Sequence, residues 1–231
     1  MEISRKISNC KECVYRSWAF KNLNDEQLKR INKNKQERFY RKGENICTEG
    51  DSIDSFMYLQ TGLVKLFKTE SNAREHIISI AKPLDFIGML SVFSNQHHIY
   101  SITAIEDSIV CFVDLEIIKE FIQTNGVFAL DFFEKISTVS DSVIKTRIDI
   151  NTRQLRGRIA YILLFFSKHI YNSDTFNLPV SRKELAELID MSTENVIRAL
   201  SEFRKDKLIQ IEGKSIHILD LKRLEKIYEL G

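Results

Sequence analysis

The sequence predicts an α+β protein. An antiparallel β domain comes first, a long helix follows, and a helix-turn-helix with a β wing ends the chain. Three observations carry this. Four of the eight glycines punctuate short β-prone runs between 39 and 114. Apolar residues between 127 and 150 recur at heptad-like spacing. Two capped helical patterns joined by a tight turn precede a short hairpin.

In the front half, Gly43, Gly50, Gly62 and Gly88 separate β-prone runs at 56–59, 63–67, 76–80, 100–104 and 108–113. Such spacing fits an antiparallel barrel or sandwich, with glycine at turns that need positive φ. Asp114 can cap a helix whose apolar residues Leu115, Ile118, Phe121 and Ile122 recur at helical spacing, with Gly126 at its end. A longer helix spans about 127–150, where Phe132, Ile136, Val139 and Val143 form one stripe. A stripe of this kind packs either into a core or against a second helix. No other segment has matching length, which favours pairing between two subunits.

At the back, Ser181-Arg182-Lys183-Glu184 is a capping box. The helix after it buries Leu185, Ala186, Leu188 and Ile189, and Asp190-Met191 forms the turn. Ser192 caps a second helix to about Lys205, with Val196, Ala199, Leu200 and Phe203 inward. Thr193, Glu194, Ile197 and Arg198 then face outward. The runs 208–211 and 215–218, turning at Gly213, form the wing. Arg can donate two bonds to guanine and Glu can accept from cytosine, so Glu194 and Arg198 suit base reading. The alternative for this pair is an i, i+4 ion pair on a solvated face. Ser181, Lys183, Ser192 and Lys214 are placed to meet phosphates.

Composition bounds the function. A net charge of +2 excludes a generally basic nucleic-acid coat, so any such binding must be local. Residues 151–231 hold 14 Lys and Arg against 11 Asp and Glu, while 1–150 hold 20 against 21. No apolar run reaches the roughly 18 residues of a membrane span, and the N-terminus lacks the apolar core of a signal peptide. A cytoplasmic protein without membrane partners is expected. No nucleophile–base pair, phosphate loop or HExxH motif points to an enzyme.

Across about 23–214 the chain resembles the CRP/FNR family of bacterial transcription regulators. The matching motifs are Lys42-Gly43-Glu44, Glu49-Gly50-Asp51, Tyr58-Leu59, Gly62-Leu63-Val64-Lys65, Asp85-Phe86-Ile87-Gly88 and Gly157-Arg158-Ile159-Ala160. The strongest runs from Ser181 through Ala186 and continues from Met191 to Arg198. The resemblance implies a β-roll of the cyclic-nucleotide-binding, jelly-roll kind, a long dimerisation helix and a C-terminal winged helix. It divides the chain into an N-terminal CxxC segment (1–22), an effector-type β-roll (23–126), a dimerisation helix (127–151) and a DNA-binding domain (152–231). It implies a homodimer on a near-palindromic double-stranded DNA operator, in contact with RNA polymerase. Glu194 and Arg198 fall on the family's base-reading positions. Thr193 stands where the cyclic-AMP receptor has Arg, which argues against a TGTGA-like half-site.

The resemblance also places an effector pocket at Gly88, Met89, Leu90, His98, Ile99 and Tyr100. Met89 replaces the acid that would hold a ribose hydroxyl, and 88–113 contains no Arg for a cyclic phosphate. Cyclic AMP is therefore not the expected signal. Adjacent His97 and His98 fit a haem or metal ligand pair or, as the more common alternative, a surface position. The family's oxygen sensor holds a [4Fe–4S] cluster on N-terminal cysteines and one in the β-roll. Cys10, Cys13 and Cys111 resemble three of those ligands, but Ser17, Trp18 and Ala19 occupy the region of the missing one. Four thiolates are the normal set, so an iron–sulfur cluster would need Cys47 or an outside ligand. A lone CxxC is half a zinc site. Otherwise Cys47 and Cys111 are small core residues, and Cys10 and Cys13 a redox pair or relic. No one cofactor is fixed by these residues: the effector is unknown, and an iron–sulfur cluster or haem stays open beside it. A second functional class stays open: a redox or ligand sensor whose winged head docks a protein.

Overall fold

The computed structural model describes residue 20, residues 22–71 and residues 73–231; Cys10, Cys13 and most of the 1–22 segment lie outside them. The chain divides into two compact units, Met1–Lys68 with Ile78–Ser142, and Thr69–Ile77 with Val143–Gly231. No helix among the described residues is long and apolar enough to cross a membrane.

The first unit opens with α1 (Asp25–Asn34), started by a reciprocal cap in which Asn24 accepts from the Gln27 N–H and Gln27 from the Asn24 N–H. Eight strands follow: β1 (Gln36–Tyr40), β2 (Asn45–Cys47), β3 (Ser55–Thr61), β4 (Val64–Thr69), β5 (Glu75–Ala81, which crosses the unit boundary), β6 (Phe86–Ile87), β7 (Ser101–Ala104) and β8 (Ser108–Asp114). They form two four-stranded sheets, β1-β8-β3-β6 and β2-β7-β4-β5, and each described pairing is antiparallel. Alternation along β3 sends Met57 and Leu59 into a core shared with Cys47, Leu66, Ile102 and Val110. Phe56 and Tyr58 point to the opposite face, under the helices. Both faces of this strand are covered, which explains its unbroken apolar run. Gly62, at φ +84, makes the turn into β4; a Cβ there would overlap the Asp107 carbonyl oxygen.

Asp114 caps α2 (Leu115–Thr124) by accepting from the Glu116 N–H at 2.8 Å. Asn125 then closes α2 through its N–H to Phe121 and starts α3 (Gly126–Thr152) by accepting from the Phe128 N–H at 3.1 Å. Gly126 therefore opens α3 instead of ending α2. The expected pairing stripe is corrected at Phe132, Ile136 and Val139. Phe132 lies in the core of its own chain, 5.4 Å from both Phe56 and Phe93, with Ile136 and Val139 packed on that core. Val143 is half-buried. The β-roll is the partner that the spacing could not identify. The face of α3 left exposed carries Val127, Leu130, Phe133, Ile144 and Ile148.

The second unit contains α4 (Leu155–Leu164), which runs on as a π-helical segment, Phe165–Tyr171, ended by Asn172 at φ +47. Then come β9 (Thr175–Asn177), α5 (Arg182–Leu188), α6 (Thr193–Lys205), β10 (Ile209–Glu212), β11 (Ser215–Ile218) and α7 (Leu221–Leu230). The wing sheet has the order β10-β11-β9. Pairing of Glu212 with Ser215 leaves Gly213-Lys214 as a two-residue turn, and Gly213 at φ +61 suits its first position. Leu185, Ile189, Val196, Ala199, Phe203 and Ile216 bury the faces of α5, α6 and the wing together.

Candidate nucleic-acid interface

The helix-turn-helix is built from its caps. The Glu184 N–H donates to Ser181 Oγ at 3.2 Å, and the Ser181 N–H donates back to Glu184 Oε2 at 2.8 Å. This fixes where α5 starts. Asp190 reverses the chain at φ +53, and the Met191 N–H donates to the Ala186 carbonyl oxygen at 2.9 Å. Arg158, from α4, donates to the carbonyl oxygens of Ile189 (3.2 Å) and Asp190 (3.1 Å), and through Nε to that of Arg153 (2.8 Å). Ser192 accepts from the Asn195 N–H at 3.2 Å and starts α6.

The outer face of α6 carries the expected residues. Glu194, Ile197 and Arg198 are exposed, Ile197 at 54%, and Thr193 is half-buried. Arg198 Nη2 donates to Asn195 Oδ1 at 3.0 Å and forms no ion pair with Glu194. The solvated i, i+4 pair is thus absent, and both charged groups remain directed outward. Glu194 is held below the ordinary carboxylate value by its own backbone N–H, then by Ser192. It is an acceptor at neutral pH.

Lys214 is exposed at the wing tip. Lys183 is 70% exposed, with Nζ 3.8 Å from Glu187, a carboxylate buried on the same helix. The Ser181 and Ser192 side chains serve as caps. What their positions offer a phosphate is the first-turn N–H groups of two helices that the caps do not use. Sequence reasoning missed Arg182. Its guanidinium is half-buried, burial lowers its pKa, and it has no hydrogen-bond or ion-pair partner among the described residues. A cation directly after a helix N-cap was the available signal.

The β-roll positions separate. Gly88, Met89, His98 and Tyr100 are buried, Leu90 is half-buried, and Ile99 turns outward. Ile99 is therefore corrected out of the pocket, because its neighbours on either side take the inward positions. His97 is exposed, but His98 is buried, so the surface reading holds for only one of the pair. The His98 N–H donates to the Asp51 carbonyl oxygen and its carbonyl accepts from the Gly50 N–H, which fixes the residue to the β2–β3 loop. Burial lowers the His98 pKa, and Asp51 partly opposes this. Ser91, which the motif reading omitted, is fully buried beside Tyr100.

Cys47 and Cys111 are buried, in two different core clusters. Burial, reinforced by Asp51, pushes the Cys47 thiol up to about 12, so it is no ready thiolate. Among the described residues no group of three or more His, Cys, Asp or Glu is gathered to hold a metal.

Comparison with known proteins agrees with this architecture. Residues 37–125 match the cyclic nucleotide-binding domain family, and residues 157–227 match the Crp-like helix-turn-helix domain family. The chain is 24% identical to the transcriptional activator protein FnrL of Cereibacter sphaeroides, over 96% of this chain and 93% of that one. It is 26% identical to the transcriptional activator protein Anr of Pseudomonas protegens, over 92% and 89%. In structure it is similar to FixK2 from Bradyrhizobium japonicum, with a TM-score of 0.77 at 22% identity, over 84% of this chain and 96% of that one.

Proposed function

The chain belongs to the CRP/FNR family of DNA-binding transcription regulators, and from that premise we propose that it acts as a homodimer on a near-palindromic operator. One observation carries the reading. Glu194, Ile197 and Arg198 stand outward on a helix whose start and turn are fixed by Ser192 and Arg158. Arg198 is assigned to guanine and Glu194 to cytosine, with Ile197 against a thymine methyl. Arg182, Lys183, Lys214 and the two capped N-termini contact phosphates and set register.

The homodimer forms through the outer face of α3. Leu130, Phe133, Ile144 and Ile148 lie there at heptad-compatible steps, with Ser137 and Asp141 between them. Two heads so joined meet half-sites about one helical turn, roughly 34 Å, apart. RNA polymerase is the partner that turns operator binding into control, and the protein works in the cytoplasm, where that enzyme acts.

The β-roll is the sensor, with its effector pocket at Gly88, Met89, Ser91, His98 and Tyr100. Met89 and the lack of Arg in 88–113 support a signal other than cyclic AMP. Selecting DNA from a random pool, then titrating the selected site at several salt concentrations, tests the function. An inverted repeat bound with a salt-dependent affinity is expected. A protein that enriches no sequence would contradict it.

A further inference from the structure

The inner face of the β-roll holds three polar atoms without hydrogen-bond partners: Ser91 Oγ, His98 Nδ1 and Tyr100 Oη. Their residues are 0%, 5% and 4% exposed. Buried polar groups are nearly always paired, so three together point to an occupant. They form one group. The His98 and Tyr100 rings are 6.4 Å apart, and Ser91 lies close enough to Tyr100 to oppose the upward push of burial on its phenol. Around them lie Gly88, Met57, Ile102 and Cys47.

We propose that Ser91, His98 and Tyr100 form the polar side of a site for a small uncharged molecule that presents a hydrogen-bond donor beside an acceptor, as a carboxamide does. This rests on the effector reading above and names the ligand class for it. Hydroxyls and an imidazole can each meet such a ligand as donor or acceptor. Burial keeps His98 neutral and Tyr100 protonated at neutral pH. A phosphate or carboxylate buried here would find no Arg or Lys within 88–113 and would lose the charge-assisted bonds that offset its desolvation.

The site is also coupled to α3. Ser91 lies on the 85–93 segment, where Asp85 pairs with Lys135 at 3.3 Å. Phe86 and Phe93 of the same segment pack on Phe132 at 6.4 and 5.4 Å. An occupant that draws Ser91 towards Tyr100 therefore bears on the long helix.

The test uses benzamide, its charged isostere benzoate, and cyclic AMP as probes of the full chain. Histidine-ring NMR signals report binding at His98. Benzamide at millimolar concentration is expected to shift the His98 signals, and benzoate and cyclic AMP to leave them unchanged. Tyr100→Phe is expected to weaken benzamide at least about tenfold and to raise Tm without ligand by about 2–4 °C, since it removes an unpaired buried hydroxyl. No benzamide shift, a shift with either anion, or no rise in Tm would overturn the proposal. Benzamide binding at His98 that leaves operator affinity unchanged would keep the site and overturn the effector reading. Cyclic AMP binding that alters operator affinity would do the reverse.

Discussion

Arg158 on α4 donates to the carbonyl oxygen of Asp190 at 3.1 Å, in the turn between α5 and α6. The same guanidinium bonds the carbonyls of Ile189 and Arg153. It thus ties the angle between the two helices to the helix that precedes the head. Arg158→Ala leaves three carbonyls short of a charged donor, at a cost of about 2–3 kcal/mol. Lys cannot replace a fork that serves several acceptors. Both variants should lower Tm and weaken binding to every DNA sequence alike, as melting curves and fluorescence anisotropy will record. A loss confined to one base pair would contradict this role.

Phe132 and Phe133 are adjacent but have different tasks. Phe132→Ala removes a ring from the core and should cost about 3–5 kcal/mol in denaturant unfolding. Leu130→Glu with Ile144→Glu changes only positions exposed in the single chain. It should preserve the fold and shift sedimentation from dimer to monomer. A double variant that still sediments as a dimer would remove α3 from the subunit interface.

Gly62→Ala tests the turn between β3 and β4. The residue sits at φ +84, and a Cβ would meet the Asp107 carbonyl oxygen and the Ser108 backbone. Strain and overlap together should cost about 2–5 kcal/mol. Gly43→Ala is the control, since its φ is also positive but nothing lies within 4 Å of a Cβ there. Equal losses at the two positions would show that the close approach at Gly62 is unimportant.

The Cys47 thiol gives a pH dependence of defined sign. Its pKa rises from 9.0 to about 12 on folding. Between those values the unfolded chain has lost the proton that the folded chain keeps, so stability falls as pH rises through this window. Cys47→Val should flatten the decline in chemical unfolding between about pH 9 and pH 12. Iodoacetamide should label Cys47 only under unfolding conditions. Rapid labelling of the folded protein would contradict the burial argument.

Elements with a local start signal were the legible ones. Asp114, Ser181 and Ser192 each cap the helix expected of them, and Gly213 makes the wing turn. The α1 helix also has a reciprocal cap at Asn24 and Gln27; Asn caps as well as Ser, so this start was equally available in the sequence. β2 and β6 have three and two residues, too few for any alternation. The side of α3 could not be read, because both of its faces carry apolar residues and spacing does not say which face meets the β-roll. In the head, the reading residues were legible from their outward positions on a capped helix. The part played by Arg158 was not, since it depends on a contact between residues 32 apart in sequence. The unpaired atoms of Ser91, His98 and Tyr100 depend on burial, which no motif encodes.

The central claim is that α6 reads bases, and Arg198 tests it most directly. Affinities of the wild type and Arg198→Ala are measured for the selected operator and for symmetric base-pair substitutions across each half-site. Arg198→Ala should lose about 1–3 kcal/mol on the operator, lose discrimination at one G·C pair, and leave the other positions and Tm unchanged. Equal loss at every position, or wild-type protein with no salt-dependent affinity for any of these duplexes, would contradict base reading and favour a head that docks protein.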